Sequence, residues 1–317
     1  MEEHIGLVVR GINNIYSVVP LERRDSIGDA PTYSCRIKGK VLQDVELSYN
    51  PIAVGDHVLF TLHHKDEGLI LKRLQRKNYF SRWNAKRGAN QTLVANMDLI
   101  VIVSSTNDPP FRPRFIDRAI VCAHTTPIMI VLNKCDLMVT ESEHERFQHY
   151  GILGYETFLM SAFDEDGLVA LKKKLAGKTV AFIGQSGVGK STIVNGLLGK
   201  GSVQKIGDIS NKYHRGKHTT NHALMIDADS MVVVDTPGMR EIMIPHVDPF
   251  LIAESFPEFR KYCDRCSFSP CLHTHEPDCA IKTAVEKGEI LEDRYESYLR
   301  MVTSIEERPE SWERERR

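Results

Sequence analysis

Cysteine is scarce in this chain, with seven in 317 residues, too few for a scaffold built on disulfides. Neither sign of charge is in excess: 41 basic side chains face 42 acidic ones, for a net charge of −1. That balance excludes a global attraction to nucleic acid, so any such contact must be local. Long apolar runs are missing too. None approaches the ~20 residues needed to cross a bilayer as a helix. The start, Met1-Glu2-Glu3-His4, is acidic and has no apolar segment of the kind a secretory leader carries. These absences point to a cytoplasmic protein without a membrane partner. The length allows two or three domains.

The most informative stretch that is present runs from Gly184 to Ser191, Gly-Gln-Ser-Gly-Val-Gly-Lys-Ser. It fits G-x-x-x-x-G-K-[ST], the phosphate-binding P-loop. Lys178–Ile183 before it reads as a buried strand, and Thr192–Leu198 after it as an amphipathic helix. Glycines let several backbone N–H groups point into one hollow, and the helix N-terminus adds its positive dipole end. Lys190 is placed to reach the β- and γ-phosphates, and the Ser191 hydroxyl to ligate Mg²⁺. The nucleotide-binding set here is Gly184, Gln185, Ser186, Gly187, Val188, Gly189, Lys190, Ser191 and Thr192.

Further motifs sit at the ends of other apolar runs. Asp98–Val103, Ile128–Leu132, Thr157–Met160 and Met231–Val234 read as strands buried on both faces, which predicts a mostly parallel sheet between helices. After the second stands Asn133-Lys134-Cys135-Asp136, an N-K-x-D, and after the third Ser161-Ala162. The N-K-x-D aspartate accepts two hydrogen bonds from the N1–H and 2-amino group of guanine. Adenine offers neither donor there, and a site built on hydrogen bonds rejects such an analogue by factors on the order of 10⁴. A backbone N–H near Ala162 meets the guanine O6. Asp235-Thr236-Pro237-Gly238 is a D-x-x-G, in which Asp235 serves the Mg²⁺ and Gly238 the γ-phosphate. Arg215–Thr220 is polar and suits a switch loop, with Thr220 favoured over Thr219 to complete the Mg²⁺ shell. The base-reading motifs come before the phosphate motifs, the reverse of a Ras-like chain. A circular permutation produces that order while leaving every motif at a strand end of one sheet.

Residues 1–75 read as five short strands, Ile5–Val9, Ile15–Pro20, Tyr33–Ile37, Asp56–Leu62 and Leu69–Leu74, which suggests a small Greek-key barrel such as an OB-fold. Lys72–Arg87 then carries seven basic residues and no acidic one, with Tyr79, Phe80 and Trp83 among them. Basic groups neutralise phosphates and aromatics stack on bases, so this seam reads as an RNA contact.

Four of the seven cysteines fall between Cys263 and Cys279. Six candidates there could fill the four places of a tetrahedral Zn²⁺ site. We select Cys266, Cys271, His273 and Cys279. The main rival pairs Cys263 with Cys266 as C-x₂-C. The tail from Glu286 reads as a helix or two, by default solvated and ending in a frayed charged terminus, with Ile290, Tyr295, Tyr298, Leu299 and Val302 at helical spacing.

A β-barrel, then N-K-x-D, S-A, P-loop, G-[KR]-H-T-T and D-T-P-G in permuted order, then C-x₄-C-x-H-x₅-C, resembles the ribosome small subunit-dependent GTPase A family (RsgA). The resemblance covers nearly the whole chain. It implies an OB-fold over 1–76, a circularly permuted α/β G domain over 77–247 and a zinc-binding, mostly helical lobe over 248–317. It implies GTP hydrolysis to GDP, stimulated by the small ribosomal subunit late in its maturation, with the outer domains binding rRNA. It implies one structural Zn²⁺, and Mg²⁺ with the nucleotide. Nothing in the sequence forms an oligomerisation element, so a monomer is expected. Asn221 departs from the family, which often has a third threonine there. Met239 follows D-T-P-G where Ras-like enzymes place a water-orienting glutamine. Methionine cannot orient water, so His218 in the switch loop is the expected catalytic group beside Lys190.

Overall fold

The computed structural model describes residues 2–21, 30–38, 50–123, 125–198, 223–228 and 230–308. The first five strands are β1 (Glu3–Ile12), β2 (Ile15–Pro20), β3 (Tyr33–Ile37), β4 (His57–His64) and β5 (Glu67–Arg73). Their order is β1-β2-β3-β5-β4, and β4 pairs back onto β1 to close a barrel. Closure removes the edges that an open sheet would expose. Val8, Val18, Cys35, Ile52, Val58, Phe60 and Ile70 fill the interior. The order and closure are those expected of a small Greek-key barrel.

The charged seam departs from expectation. A hairpin, β6 (Tyr79–Asn84) and β7 (Ala89–Ala95), occupies most of it. Phe80 is fully buried, and Trp83 is buried, with its backbone N–H donating to the Met243 carbonyl at 2.9 Å. Arg76 is spent on the buried Asp56, which it holds through two hydrogen bonds of 2.7 Å. Phe80 and Trp83 therefore contribute to the core and are not available for stacking on bases. Lys72, Lys77, Lys86 and Arg87 remain on the surface.

The second half of the same continuous sheet runs β10-β9-β8-β11-β13-β12 and meets the barrel at β1. Its strands are β8 (Leu99–Ser105), β9 (Ile128–Asn133), β10 (Glu156–Leu159), β11 (Thr179–Gly184), β12 (Leu224–Asp227) and β13 (Val232–Asp235). All are parallel except β12, which runs against β13. β8 and β11 are buried along their whole length. One face of the sheet, with Ile100, Ile102, Ile130 and Ile183, packs under α1 (Pro113–Cys122) and α2 (Glu141–Ile152). The other, with Val101, Val131, Val180 and Phe182, packs under α3 (Glu165–Leu175) and α4, a helix described over 190–198. The period of two in a strand puts alternate apolar side chains on both faces, which is why these runs are continuously apolar. Each such side chain contributes about 1.5–3 kcal/mol on burial.

The last part comprises α5 (Pro249–Glu254), two 3₁₀ turns (Pro257–Lys261 and Cys263–Arg265), α6 (Ala280–Glu286) and α7 (Glu292–Glu306). α7 is not a solvated helix. Tyr298, Met301, Val302 and Ile305 are buried and join the core that α1 covers. Arg294, on α7, is fully buried. It donates to Asp117 of α1 at 2.6 Å and to Glu258 at 2.8 Å, while Tyr150 of α2 donates to Asp117 at 2.7 Å. Burial works against the charge on Arg294, but Asp117 and Glu258 outweigh it and hold the guanidinium protonated. Among the described residues, no helix is long and apolar enough to cross a membrane.

Candidate functional site

Parallel strands deliver their carboxyl ends to one edge, and four of the motifs stand on that edge. β11 leads into the P-loop, β13 into Asp235–Gly238, β9 into Asn133–Asp136 and β10 into Ser161-Ala162. Such an edge, at the point between β8 and β11 where the strand order reverses, is where open α/β sheets place ligands.

Within the P-loop, Gly187 and Gly189 have φ of 88° and 89°. At Gly189 a Cβ would lie 2.2 Å from Asn133 Nδ2, so both conformation and space demand glycine. That close approach comes with hydrogen bonds. Asn133 Nδ2 donates to the Val188 carbonyl at 2.8 Å, and Asn133 Oδ1 accepts from the Ala162 N–H at 2.8 Å. One buried side chain thus joins three motifs. Asp136 is exposed at the mouth, and Lys134, with a φ of 65°, sends its ammonium to the Asp108 carbonyl.

On the phosphate side, Lys190 is buried and its ammonium meets Asp235 Oδ1 at 2.5 Å and the Thr236 carbonyl. Thr236 Oγ1 donates to the Phe182 carbonyl at 2.6 Å, which fixes the D-x-x-G turn against β11. The turn and the P-loop form a short parallel bridge: Ser186 N donates to the Met239 carbonyl and Met239 N to the Gly184 carbonyl, each at 3.2 Å. Met239 itself is buried in the core. Gln185 and Val188 are buried, while Ser186, Ser191, Thr192 and Gly238 lie exposed around the mouth. His218, Thr219 and Thr220 lie outside the described residues.

One part of this edge was not read from the sequence. The loop 106–112 after β8 supplies the Asp108 carbonyl that holds Lys134, and Pro109 stands against Gly187. Ser105 Oγ donates to the Pro109 carbonyl at 2.7 Å and Thr106 Oγ1 to the Lys134 carbonyl at 3.1 Å. The available signal was position: Thr106-Asn-Asp-Pro-Pro follows an apolar strand whose carboxyl end lies on the same edge.

A separate cluster forms in the last part of the chain. One ligand atom from each of Cys266, Cys271, His273 and Cys279 lies within 4.8 Å of the others. Cys266 Sγ and Cys279 Sγ are 3.9 Å apart, Cys271 Sγ and Cys279 Sγ 4.0 Å, and His273 Nδ1 is 3.5 and 3.4 Å from Cys266 and Cys279. A tetrahedron with Zn–S bonds of ~2.3 Å and a Zn–N bond of ~2.0 Å has edges of about 3.8 and 3.5 Å. The donors therefore fit a closed, structural metal site. Cys263 approaches the opposite ring nitrogen, Nε2, at 3.8 Å, so the rival C-x₂-C pairing does not converge with the other donors. Tyr295 donates to the His273 carbonyl at 2.6 Å and Tyr298 to the Leu272 carbonyl at 2.5 Å, so α7 braces the metal loop. Glu276 braces it from the other side by accepting from the Leu272 and Thr274 N–H groups.

A model of the RsgA GTPase family matches residues 73–245. The small ribosomal subunit biogenesis GTPase RsgA of Borreliella burgdorferi strain ZS7 is 37% identical over 300 residues, which span 94% of this chain and 95% of that one. The protein so named in Chlorobaculum parvum is 36% identical over 292 residues, spanning 88% and 93%. Among solved structures, YjeQ from Thermotoga maritima superposes with a TM-score of 0.68 at 29% identity, covering 97% of this chain and 100% of that one. YloQ, described as a circularly permuted GTPase, gives 0.66 at 26% identity, covering 98% and 97%.

Proposed function

The chain belongs to the RsgA GTPase family, and from that premise we propose that it hydrolyses GTP on the maturing small ribosomal subunit, in the cytoplasm and as a monomer. The observation that carries the reading is the joining of base-reading and phosphate-binding motifs through Asn133. Every motif comes from one chain, which supports action as a monomer. The names of the relatives, which span nearly the whole chain, support the ribosomal partner. The working division is a barrel over 1–76, a G domain over 77–247 and a metal lobe over 248–317, with the outer two gripping rRNA.

In this reading Asp136 accepts from N1–H and the 2-amino group of guanine, Lys134 packs along the base, and the Ala162 N–H meets O6. The N–H groups of the P-loop receive the phosphates. Lys190 exchanges Asp235 and the Thr236 carbonyl for β- and γ-phosphate oxygens. Gly238 N–H donates to the γ-phosphate. Such fixed donors stabilise the charge that shifts onto the phosphoryl oxygens in the transition state. Ser191, Thr220 and Asp235 have the oxygen donors to hold Mg²⁺, which supplies further neutralisation there when it is bound. Water is aligned by His218, because Met239 is buried and lacks a hydrogen-bonding side chain. Cys266, Cys271, His273 and Cys279 hold one structural Zn²⁺.

Co-sedimentation tests the partner. The chain loaded with a non-hydrolysable GTP analogue should pellet with small subunits, and the GDP form should stay largely in the supernatant. Equal recovery with large subunits would overturn the assignment.

A further inference from the structure

At the opposite edge of the sheet, away from the nucleotide, lies a cleft of about 770 Å³. Its floor is the last turn of α1 and the residues leading into β9, with Thr126 among them. The hairpin and the end of the barrel form one wall, and α5 with the following 3₁₀ turn the other. Three parts of the chain therefore meet here. The size lies in the ordinary range for small-molecule pockets, roughly 300–1,000 Å³.

The chemistry of the walls is uneven. Arg76 is consumed by Asp56 and by Thr92, to which it donates at 3.0 Å. Its neighbour Arg73 is half-buried, and its one described hydrogen bond goes to a neutral group, the Pro51 carbonyl at 2.8 Å. Burial, then the nearby Arg76 charge, pushes the Arg73 pKa down, so the cation gains from an incoming anion. Arg260 adds a second cation on the facing wall, and among the described residues Glu254 is the single carboxylate lining the cleft. With Arg76 cancelled by Asp56, the cleft keeps one net positive charge. On its floor, Thr126 is 4% exposed and its Oγ1 has no hydrogen-bond partner among the described residues. A buried hydroxyl left unpaired is destabilising, and a polar ligand atom can relieve that. The rest of the lining includes flat and apolar groups, Tyr79, Tyr155 and Leu251. Tyr79 is held face-on beneath the Arg76 guanidinium, 5.9 Å from it.

We propose that this cleft binds one nucleotide unit, its phosphate between Arg73 and Arg260, its ring against the tyrosines, with Thr126 Oγ1 bonded to a polar atom of the base or sugar. The unit is either a free mononucleotide or a nucleotide turned out of a single RNA strand. Both present the same phosphate and planar ring.

The test uses the full chain loaded with GDP and Mg²⁺, so that the guanine site is filled. Calorimetric titrations use AMP, which that site rejects, and a single-stranded adenosine hexanucleotide. Saturable binding at one site is expected, weakened at least tenfold by Arg73→Gln and by Arg260→Glu. Arg260 is exposed, so its variant keeps the fold even if the first does not. GTP turnover without subunits should be unchanged in Arg260→Glu. A hexanucleotide tighter than AMP by tenfold or more identifies RNA as the source, and equal affinity a free mononucleotide. No saturable binding of either probe, or binding that both folded variants retain, overturns the proposal.

Discussion

Asn133 donates its side-chain amide to the carbonyl of Val188, 55 positions later in the chain, at 2.8 Å. The same side chain accepts from Ala162 N–H. The N-K-x-D motif, the Ser161-Ala162 turn and the P-loop are therefore tied together by one side chain, although they stand apart in the sequence. Asn133→Ala leaves a buried carbonyl and a buried N–H unpaired, each costing about 1–3 kcal/mol. Affinity for a fluorescent GDP analogue should fall at least tenfold. An unchanged affinity would mean that the two motifs are held together by something else.

In the proposed reading, Asp136 sets the choice of base. Asp136→Asn replaces the double acceptor and should weaken GTP binding by about 1–3 kcal/mol or more for each hydrogen bond left unpaired. Xanthine carries a carbonyl where guanine has its 2-amino group, and the asparagine amide can donate to it. The variant should therefore prefer XTP, as competition between the two nucleotides would show.

Lys190→Ala removes a buried cation from the phosphate site and leaves Asp235 without its 2.5 Å partner. Turnover should drop on the order of 10²-fold or more, the effect of removing one preorganised donor to a developing negative charge. Single-turnover GTP hydrolysis measures it.

The metal lobe should depend on its ion. Structural zinc contributes ~10–16 kcal/mol in small peptides, as much as the whole stability of a typical domain. Cys271→Ser or a strong chelator should release one zinc per chain and expose α6 and α7 to protease. Cys263→Ser should keep the zinc, because Cys263 faces Nε2 of His273 and not the cluster. Zinc stoichiometry by atomic absorption separates the two.

Arg294 ties that lobe to the G domain. With Arg294→Ala, Asp117 and Glu258 lose the buried cation that they share. Breaking a buried pair from one side costs about 3–5 kcal/mol. Denaturant unfolding should show a loss of that size, with the midpoint shifted down.

Much of the site was legible because its chemistry is local. The P-loop, N-K-x-D, D-x-x-G and the C-x₄-C-x-H-x₅-C run each pack their functional groups into a few residues. The strands Ile15–Pro20 and Tyr33–Ile37 lie where their β-branched and aromatic content places them. What stayed hidden depends on tertiary contacts. Phe80 and Trp83 stand three apart, out of step with a strand's period of two, and the β6–β7 pairing shifts register between Phe80 and Ser81; the surrounding lysines and arginines gave the segment the look of a solvated or RNA-binding run. α7 reads as charged, with Glu292, Asp293, Arg294, Glu296, Arg300 and Glu306 along it, and only Asp117 and Glu258, distant in sequence, explain why its Arg294 can be fully buried. The Asp108 carbonyl that holds Lys134 is a backbone atom, and no side-chain motif announces it.

The most direct measurement is steady-state hydrolysis of GTP and of ATP by the purified chain, alone, with small ribosomal subunits and with large ones. Slow GTP turnover that small subunits raise many-fold, large subunits leave unchanged and His218→Ala abolishes is the predicted result. ATP turnover should stay at background throughout. GTP turnover indifferent to small subunits, or equally raised by large ones, would contradict the assignment to small-subunit maturation.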